Sequence, residues 1–307
     1  MDPLDDLEEL DALDDAPDEQ PAAAVLGGDA RQAYAARALL VSGWDVRLFD
    51  VPQTREVLKD PPCESLRDAI EGAKLVICPI SCAGLDIPQA LALLTPEQTV
   101  VGINVPVAMR TGCAERNVPV HDLLDREDFT ILNAIPSAEG AIAEAIAASC
   151  CNLHLSHALV LGYGRCGKVL AQKLRGLGAW VTVAARRWES ACAAIADGCE
   201  VLDFLLLPYQ MPRFHYVFNT IPAGALDEKL LQALPSESVV IDIASGPGGV
   251  DFEAAKELGI VAKLCPGLPG LYAPRSAGEA VAQIARIILE EQEGSPWGWN
   301  KCASVLD

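Results

Sequence analysis

The sequence predicts an α/β protein built from two Rossmann-like, doubly wound parallel-sheet domains with a cleft between them. Three observations carry that expectation. His157–Arg187 reads as strand, glycine-rich loop, helix and strand, with Gly162-Tyr163-Gly164-Arg165-Cys166-Gly167 matching GxGxxG in the context that makes the motif informative. The first half of the chain repeats the strand–turn–helix–strand order between Ala23 and Asp50. Short apolar runs alternate with helical patterns along both halves, which implies parallel sheets covered on both faces.

Taken in order, Met1–Pro21 is dominated by Asp, Glu and Leu. It reads as a disordered, solubilising tail, with a short acidic helix through Leu4, Leu7 and Leu10 as the alternative. Residues 22–149 form the expected N-terminal domain. Ala23–Leu26 is a strand, Gly27-Gly28-Asp29-Ala30-Arg31 a turn, and Gln32–Ser42 a helix closed by Gly43. Trp44–Phe49 is the second strand, and Leu75–Ile80 and Val100–Asn104 are the third and fourth. Phe129–Asn133 (FTILN) reads as the last strand of this half. An alanine-rich helix, Gly140–Ser149, follows, with Ser137 as its cap and Glu139 in its first turn. Asp50 stands where a nucleotide-binding acid would, but GGDAR lacks the GxGxxG spacing, so no second nucleotide site is expected. The GGDAR turn still lies at the carboxyl end of a strand, where open α/β sheets bind ligands.

Residues 150–294 form the expected cofactor domain. Ala158–Leu161 runs directly into the glycine loop. Gly162 permits the tight turn, Gly164 lets backbone approach a pyrophosphate, and Gly167 lets helix and strand pack closely. Leu170, Leu174 and Leu177 follow at i, i+4, i+7, and Gly178 ends the helix. The strand Trp180–Ala185 leads to Arg186-Arg187, where an NAD site would carry an acid. Two guanidiniums suit a 2′-phosphate, so NADP is expected rather than NAD. Tyr216–Asn219, Val239–Ile243 and Val261–Leu264 are the later strands. Ala277–Glu291 is a final helix able to pack back on the first domain, and residues 295–307, with Trp297 and Trp299, form a tail.

The formal charge is −20, which argues against nucleic acid as a partner because phosphate binding needs a basic face. No apolar run is long enough to span a membrane, and the acidic N-terminus is no signal peptide. A cytoplasmic protein is expected. The 11 cysteines read as reduced thiols; neither Cys78–Cys82 nor Cys150-Cys151 has zinc-ribbon spacing. His154 and His157 lack neighbouring ligands, and no metal site is expected.

Five further segments cluster at strand ends: GGDARQ (27–32), NAIPSAEG (133–140), NTIPA (219–223), DIASGPGGVDF (242–252) and PGLPG (266–270) running on to Ala273-Pro274. Together, from about Ala23 to Ala285, they resemble the A-subunit family of dipicolinate synthase. The acidic first twenty residues stand outside that pattern. The resemblance implies a fold like the two-domain 2-hydroxyacid dehydrogenases. It implies a pyridine nucleotide-dependent oxidation that aromatises dihydrodipicolinate, or its 4-hydroxy-tetrahydro precursor, to dipicolinate. The setting it implies is the mother-cell cytoplasm of a sporulating bacterium. The partner it implies is the flavoprotein-like B-subunit of the synthase, together with assembly into homo-oligomers.

The residues suit a small dicarboxylate, which needs anion receptors and little bulk. Gly248, Gly249, Gly267 and Gly270 offer bare N–H groups in turns, with Gly28 a further substrate-side candidate; Leu268 and Pro269 follow Gly267, and Ser81 follows the third strand. Arg31 is either a bidentate carboxylate receptor or a surface helix arginine. Ser137 is either a hydroxyl donor to substrate or simply a cap. Asn219, Thr220, Ile221 and Pro222, with Asp242, Ala244 and Ser245, follow the strands that should flank the nicotinamide. Glu139 is the first choice for the proton, then Asp29, with Ser245 beside them; Glu139 and Asp29 each have a structural alternative. An NAD(P)-dependent 2-hydroxyacid dehydrogenase is the nearest rival, but it wants a histidine after a late strand, and His121, His154, His157 and His215 are not so placed. A non-catalytic NADP-binding scaffold for a flavoprotein partner is the other alternative.

Overall fold

The computed structural model describes residues 20–52 and 61–294. The acidic tail's first nineteen residues and residues 295–307 lie outside them.

The first half runs β1 (Ala22–Leu26), α1 (Ala30–Val41), β2 (Asp45–Phe49), α2 (Leu66–Ile70), β3 (Leu75–Ile77), α3 (Ile87–Leu93), β4 (Thr99–Gly102), α4 (Val107–Glu115), β5 (Val120–Asp122) and α5 (Glu127–Ala148). Its five strands are all parallel, in the order β2-β1-β3-β4-β5. The second half runs β6 (His157–Leu161), α6 (Arg165–Gly176), β7 (Trp180–Ala184), α7 (Trp188–Ala196), β8 (Glu200–Leu202), α8 (Leu207–Gln210), β9 (Tyr216–Asn219), α9 (Glu228–Gln232), β10 (Val239–Asp242), α10 (Phe252–Glu257), β11 (Val261–Leu264), α11 (Leu268–Tyr272) and α12 (Pro274–Gln292). Its six strands are also parallel, ordered β11-β10-β9-β6-β7-β8. The strand order of each sheet reverses once, beside β1 and beside β6, and a crevice opens at such switch points.

Both faces of each sheet are covered, as the strand patterns require. Ala23 and Val25 point into one core and Ala24 and Leu26 into another. Ala158 and Val160 likewise face away from Leu159 and Leu161. The cap signals act locally: Asp29 accepts from the Arg31 N–H at the start of α1, and Gly178, at φ +82°, ends the α6 turn with a bond to the Arg175 carbonyl. Leu177 does not complete the α6 stripe; Leu170, Ala171 and Leu174 are buried while Leu177 is exposed at the helix end.

One segment departs from the sequence expectation. Phe129–Asn133 is not a strand, and the helix does not begin at Gly140; both lie inside the 22-residue α5. Glu127 and Asp128 sit in its first turn, where they favour the helix dipole, and Phe129, Ala134, Ala138, Ala141 and Ala145 are buried at helical spacing. The β-branched Thr130 and Ile131 suggest a strand, but burial of this face overrides their propensity. The last strand of the first sheet is instead Val120–Asp122, whose short polar sequence gains strand geometry by pairing with β4.

The chain returns at its end. Val281, Ile284, Ala285 and Ile288 of α12 share one core with Ala33, Ala36 and Leu39 of α1. The two helices approach so closely at Gly278 that a Cβ there would lie 2.3 Å from the Arg31 carbonyl oxygen. Among the described residues, no helix is long and apolar enough to cross a membrane.

Candidate active site

The carboxyl edge of the second sheet carries a cleft of about 540 Å³ beside β6. Gly162 leaves β6 at φ +93°, and a side chain there would strike the Thr220 hydroxyl at 2.5 Å. A Cβ on Gly167 would lie 2.3 Å from the Gly162 carbonyl oxygen, so glycine alone lets α6 seat against the loop. Gly164 is the N-cap of α6, no side chain caps that end, and open space faces its Cα. The first-turn N–H groups of Arg165, Cys166 and Gly167 have no intrahelical acceptors, the arrangement that receives a pyrophosphate.

The cleft is lined by Gly162, Tyr163, Gly164, Arg165 and Cys166, by Ala185, Arg186 and Arg187, by Thr220, Ile221 and Pro222, and by Ala244 and Ser245. Thr220 donates its hydroxyl to the Leu161 carbonyl at 2.8 Å, tying the β9 loop to β6. Tyr163 is buried and donates to Asp197 at 2.6 Å; burial first, then this carboxylate, pushes its phenol far above the ordinary range. Burial also raises the Cys166 thiol. Arg165 reaches out of the second domain to Glu127 at 3.1 Å and Thr130 at 2.7 Å on α5. Arg186 lies 5.3 Å from the Phe204 ring centroid and 3.4 Å from the Gly224 carbonyl. Arg187 caps α7, and neither arginine is paired with a carboxylate among the described residues. Ser190 and Ile243 also line the cleft. The signal for Ser190 was available in the spacing, since a hydroxyl three residues past Arg187 falls on the first turn of a helix beginning there.

Asn219 and Asp242 do not line the cleft; both are fully buried beneath it. Asn219 donates to Ile221 O at 3.0 Å and to Asp242 Oδ1 at 2.9 Å. Asp242 also accepts from the Ala244 N–H at 2.9 Å and the Gly249 N–H at 2.7 Å. These two side chains buckle the NTIPA and DIASGPGG loops together. The same bonds correct the expected role of the glycines: the Gly249 N–H is spent on Asp242, and that of Gly248 on the Ser245 carbonyl. Neither is a bare donor, and nor is Gly270, whose N–H donates to the Gly267 carbonyl at 3.0 Å.

The first-domain candidates form a separate cluster, and none of them lines this cleft. Asp29 and Arg31 pair with each other, Nη2 to Oδ2 at 2.6 Å, with Arg31 largely buried and 44% of the Asp29 side chain exposed. Burial pushes the Asp29 carboxyl up, but the hydrogen bonds and charge of Arg31 outweigh it and hold the group below its ordinary value. Gly28 keeps φ +90° before this pair. The second domain's PGLPG segment covers it: a Cβ on Gly270 would lie 2.9 Å from both Arg31 Nε and Asp29 Oδ2. Gly267 is exposed at the start of α11. Leu268 and Pro269 are buried, and Leu268 packs on α5 at Gly140; both are packing residues. Ser81 is exposed in the left-handed region at φ 53° and accepts from Asn104 Nδ2 at 2.7 Å.

Two expectations for α5 are overturned by its length. Ser137 is no cap; it lies mid-helix and donates back to the Asn133 carbonyl at 2.7 Å. Glu139 sits on the helix surface, paired with Lys173 of α6 at 2.7 Å. Lys173 lies eight residues along α6 from Arg165, roughly 12 Å from the cradle at 1.5 Å per residue. Of the histidines, His157 and His215 border the amino edge of the second sheet, His154 lies in the connector before β6, and His121 lies in β5 beside Gln292. Among the described residues none stands at the carboxyl edge of the second sheet.

Residues 22–88 match the family model described as the N-terminal domain of the dipicolinate synthase A-subunit. The chain is 31% identical over 283 residues to the dipicolinate synthase A-subunit of Bacillus subtilis (strain 168), covering 87% of this chain and 95% of that protein. The solved structure of the dipicolinate synthase A-subunit from Bacillus halodurans superposes with a TM-score of 0.78 at 28% identity, over 88% of this chain and 97% of that one. A transhydrogenase from Sinorhizobium meliloti shares the fold, with a TM-score of 0.66 at 15% identity over 88% of this chain and 93% of its own. With the GGDARQ turn inside the matched N-terminal region and nearly the whole length of the Bacillus subtilis protein spanned, the chain belongs to the A-subunit family of dipicolinate synthase.

Proposed function

We propose that this protein is an NADP-dependent oxidoreductase that oxidises dihydrodipicolinate, formed directly or from its 4-hydroxy-tetrahydro hydrate, to dipicolinate. The carrying observation is the cleft at β6, where an uncapped helix N-terminus and two guanidiniums, free of carboxylate partners among the described residues, face one space. Gly164 and the first turn of α6 would take the pyrophosphate. Arg186, Arg187 and Ser190 would take a 2′-phosphate, while Thr220, Ala244 and Ser245 line the nicotinamide end. When bound, the cofactor supplies a two-electron acceptor; the ring of the substrate loses one hydride and one proton to become aromatic.

The substrate side rests on the first domain's strand ends. Because Ser81 Oγ accepts from Asn104, its own proton is free for a carboxylate. The Arg31 guanidinium is shared with Asp29, which stays ionised and partly exposed; because Arg31 lowers its basicity, it can take the released proton only in passing to water. Reacting atoms must come within about 3–3.5 Å, so the two clusters must close on one another. The buried, uncharged position of α5 at Gly140 and the surface pairing of Glu139 favour Asp29 over Glu139 for that proton. The designation of the relatives as an A-subunit supports assembly into a complex with a second component; on this reading that component is flavoprotein-like and the setting is the mother-cell cytoplasm.

A second reading, a non-catalytic NADP-binding scaffold for that partner, is favoured by the absence of any histidine or unpaired carboxylate lining the cleft among the described residues. One experiment separates them. The purified chain is mixed with enzymically generated dihydrodipicolinate and NADP, with and without the partner, while NADPH and dipicolinate absorbance are followed together. Equimolar NADPH and dipicolinate from the single chain is the expected result. Product formed only with the partner and its flavin, without NADPH, refutes hydride transfer by this chain.

A further inference from the structure

Cys150 and Cys151 lie in the connector between α5 and β6, and Glu237 lies in the turn before β10. The two Sγ atoms are 3.9 Å apart, and both lie within 4.8 Å of a Glu237 carboxylate oxygen. We propose that these three side chains form a binding site for a thiophilic divalent cation of the Zn²⁺ type. A tetrahedral ion with metal–sulfur bonds of about 2.3 Å holds two thiolates about 3.8 Å apart, so the sulfurs need almost no movement. The carboxylate closes in by a rotamer adjustment to reach a bond of about 2.0 Å. All three side chains reach the surface, which leaves the fourth position to water.

The pair is held in place before any ion arrives. The Cys151 N–H donates to Ser149 Oγ at 3.0 Å, and the hydroxyl of the buried Tyr216 donates to the Cys151 carbonyl. Little conformational freedom remains to be lost at Cys151 on binding. Binding displaces the thiol protons, so it tightens as pH rises.

The site is remote from the proposed chemistry. It lies at the amino edge of the second sheet, whereas Gly162 leaves the carboxyl edge. The five residues of β6 between them span roughly 15 Å at about 3.3 Å each. A bound ion would staple the connector leaving α5 to the turn that enters β10, and so fix the strand bearing Asp242.

The test uses the whole, reduced, metal-stripped chain titrated with Co²⁺ and then with Zn²⁺. The expected result is one equivalent of Co²⁺ with thiolate-to-cobalt charge-transfer absorption, bleached by Zn²⁺. C150S and C151S each at least halve the band and the double variant abolishes it, and E237Q weakens Zn²⁺ binding by at least about tenfold. In the wild-type chain, Zn²⁺ should slow alkylation of Cys150 and Cys151 together but not of the exposed Cys192, read peptide by peptide. A wild-type chain with no charge-transfer band, a band that survives in the C150S/C151S double variant, or alkylation of the pair unchanged by Zn²⁺ overturns the site.

Discussion

On the proposed assignment of Arg186 and Arg187 to a 2′-phosphate, replacing both with alanine should abolish discrimination between NADP and NAD. Arg186 is already oriented, by the Phe204 ring at 5.3 Å and the Gly224 carbonyl, while Arg187 projects from the start of α7 into the same cleft. A hydrogen bond to a charged group contributes about 1.5–3 kcal/mol, and the exposure of both arginines screens each to about 1–1.5 kcal/mol. At 1.4 kcal/mol per factor of ten, each single variant should weaken NADP by about tenfold and the double variant by roughly 100-fold. NAD carries no 2′-phosphate, so its Kd should move by less than about twofold. Isothermal titration with both cofactors measures this, and raising the salt should erode the NADP advantage of the wild-type chain alone. Equal losses for NAD and NADP, or an unchanged NADP affinity in the double variant, would refute the assignment of these guanidiniums to a 2′-phosphate.

Three other outcomes follow from the same geometry. Gly167→Ala places a methyl 2.3 Å from the Gly162 carbonyl oxygen; thermal melts should show a loss of about 1–3 kcal/mol, with dinucleotide binding lost at the same time. Asp242→Ala leaves the Ala244 and Gly249 N–H groups and the Asn219 amide without their buried acceptor, and denaturant titration should show a loss of about 2–5 kcal/mol. Asp29→Asn keeps the helix cap but removes the charge facing Arg31. The Asp29 carboxyl is held below its ordinary value of 3.8, so the pair stabilises the fold above that pH and loses its contribution as pH falls through the lowered value. With 44% of the Asp29 side chain exposed, the difference at pH 7 should be about 1 kcal/mol or less, and the two unfolding midpoints should converge in acid.

What could be read in the sequence was local. The GxGxxG loop and the Gly178 stop act through backbone conformation over four or five residues, and each lies where its spacing puts it. The error at Phe129–Asn133 has a different origin. FTILN satisfies strand propensity and helical burial equally, and only the partners of Phe129 and Ala134 decide between them. Placing the helix start at Gly140 then misassigned Ser137 and Glu139, because a cap and a first turn are defined relative to that start. Val120-His121-Asp122 carries no strand signal of its own; its geometry comes from β4. Asn219 and Asp242 were assigned to the cofactor because they end strands, but the facing of a strand's last side chain depends on which loop folds over it. Here the NTIPA and DIASGPGG loops fold over both and draw them beneath the floor.

The return of α12 to α1 makes the first domain discontinuous in sequence, with the second domain inserted within it. About 250 residues separate Leu39 from Ile288. At roughly 5–20 residues per second of synthesis, the apolar face of α1 waits roughly 10–50 s for its cover. The domain that begins first is therefore the domain that finishes last, and its completion reports that the whole inserted domain has been made. A chain truncated before α12 would carry an intact dinucleotide cradle beside an open core, prone to aggregation rather than merely less active.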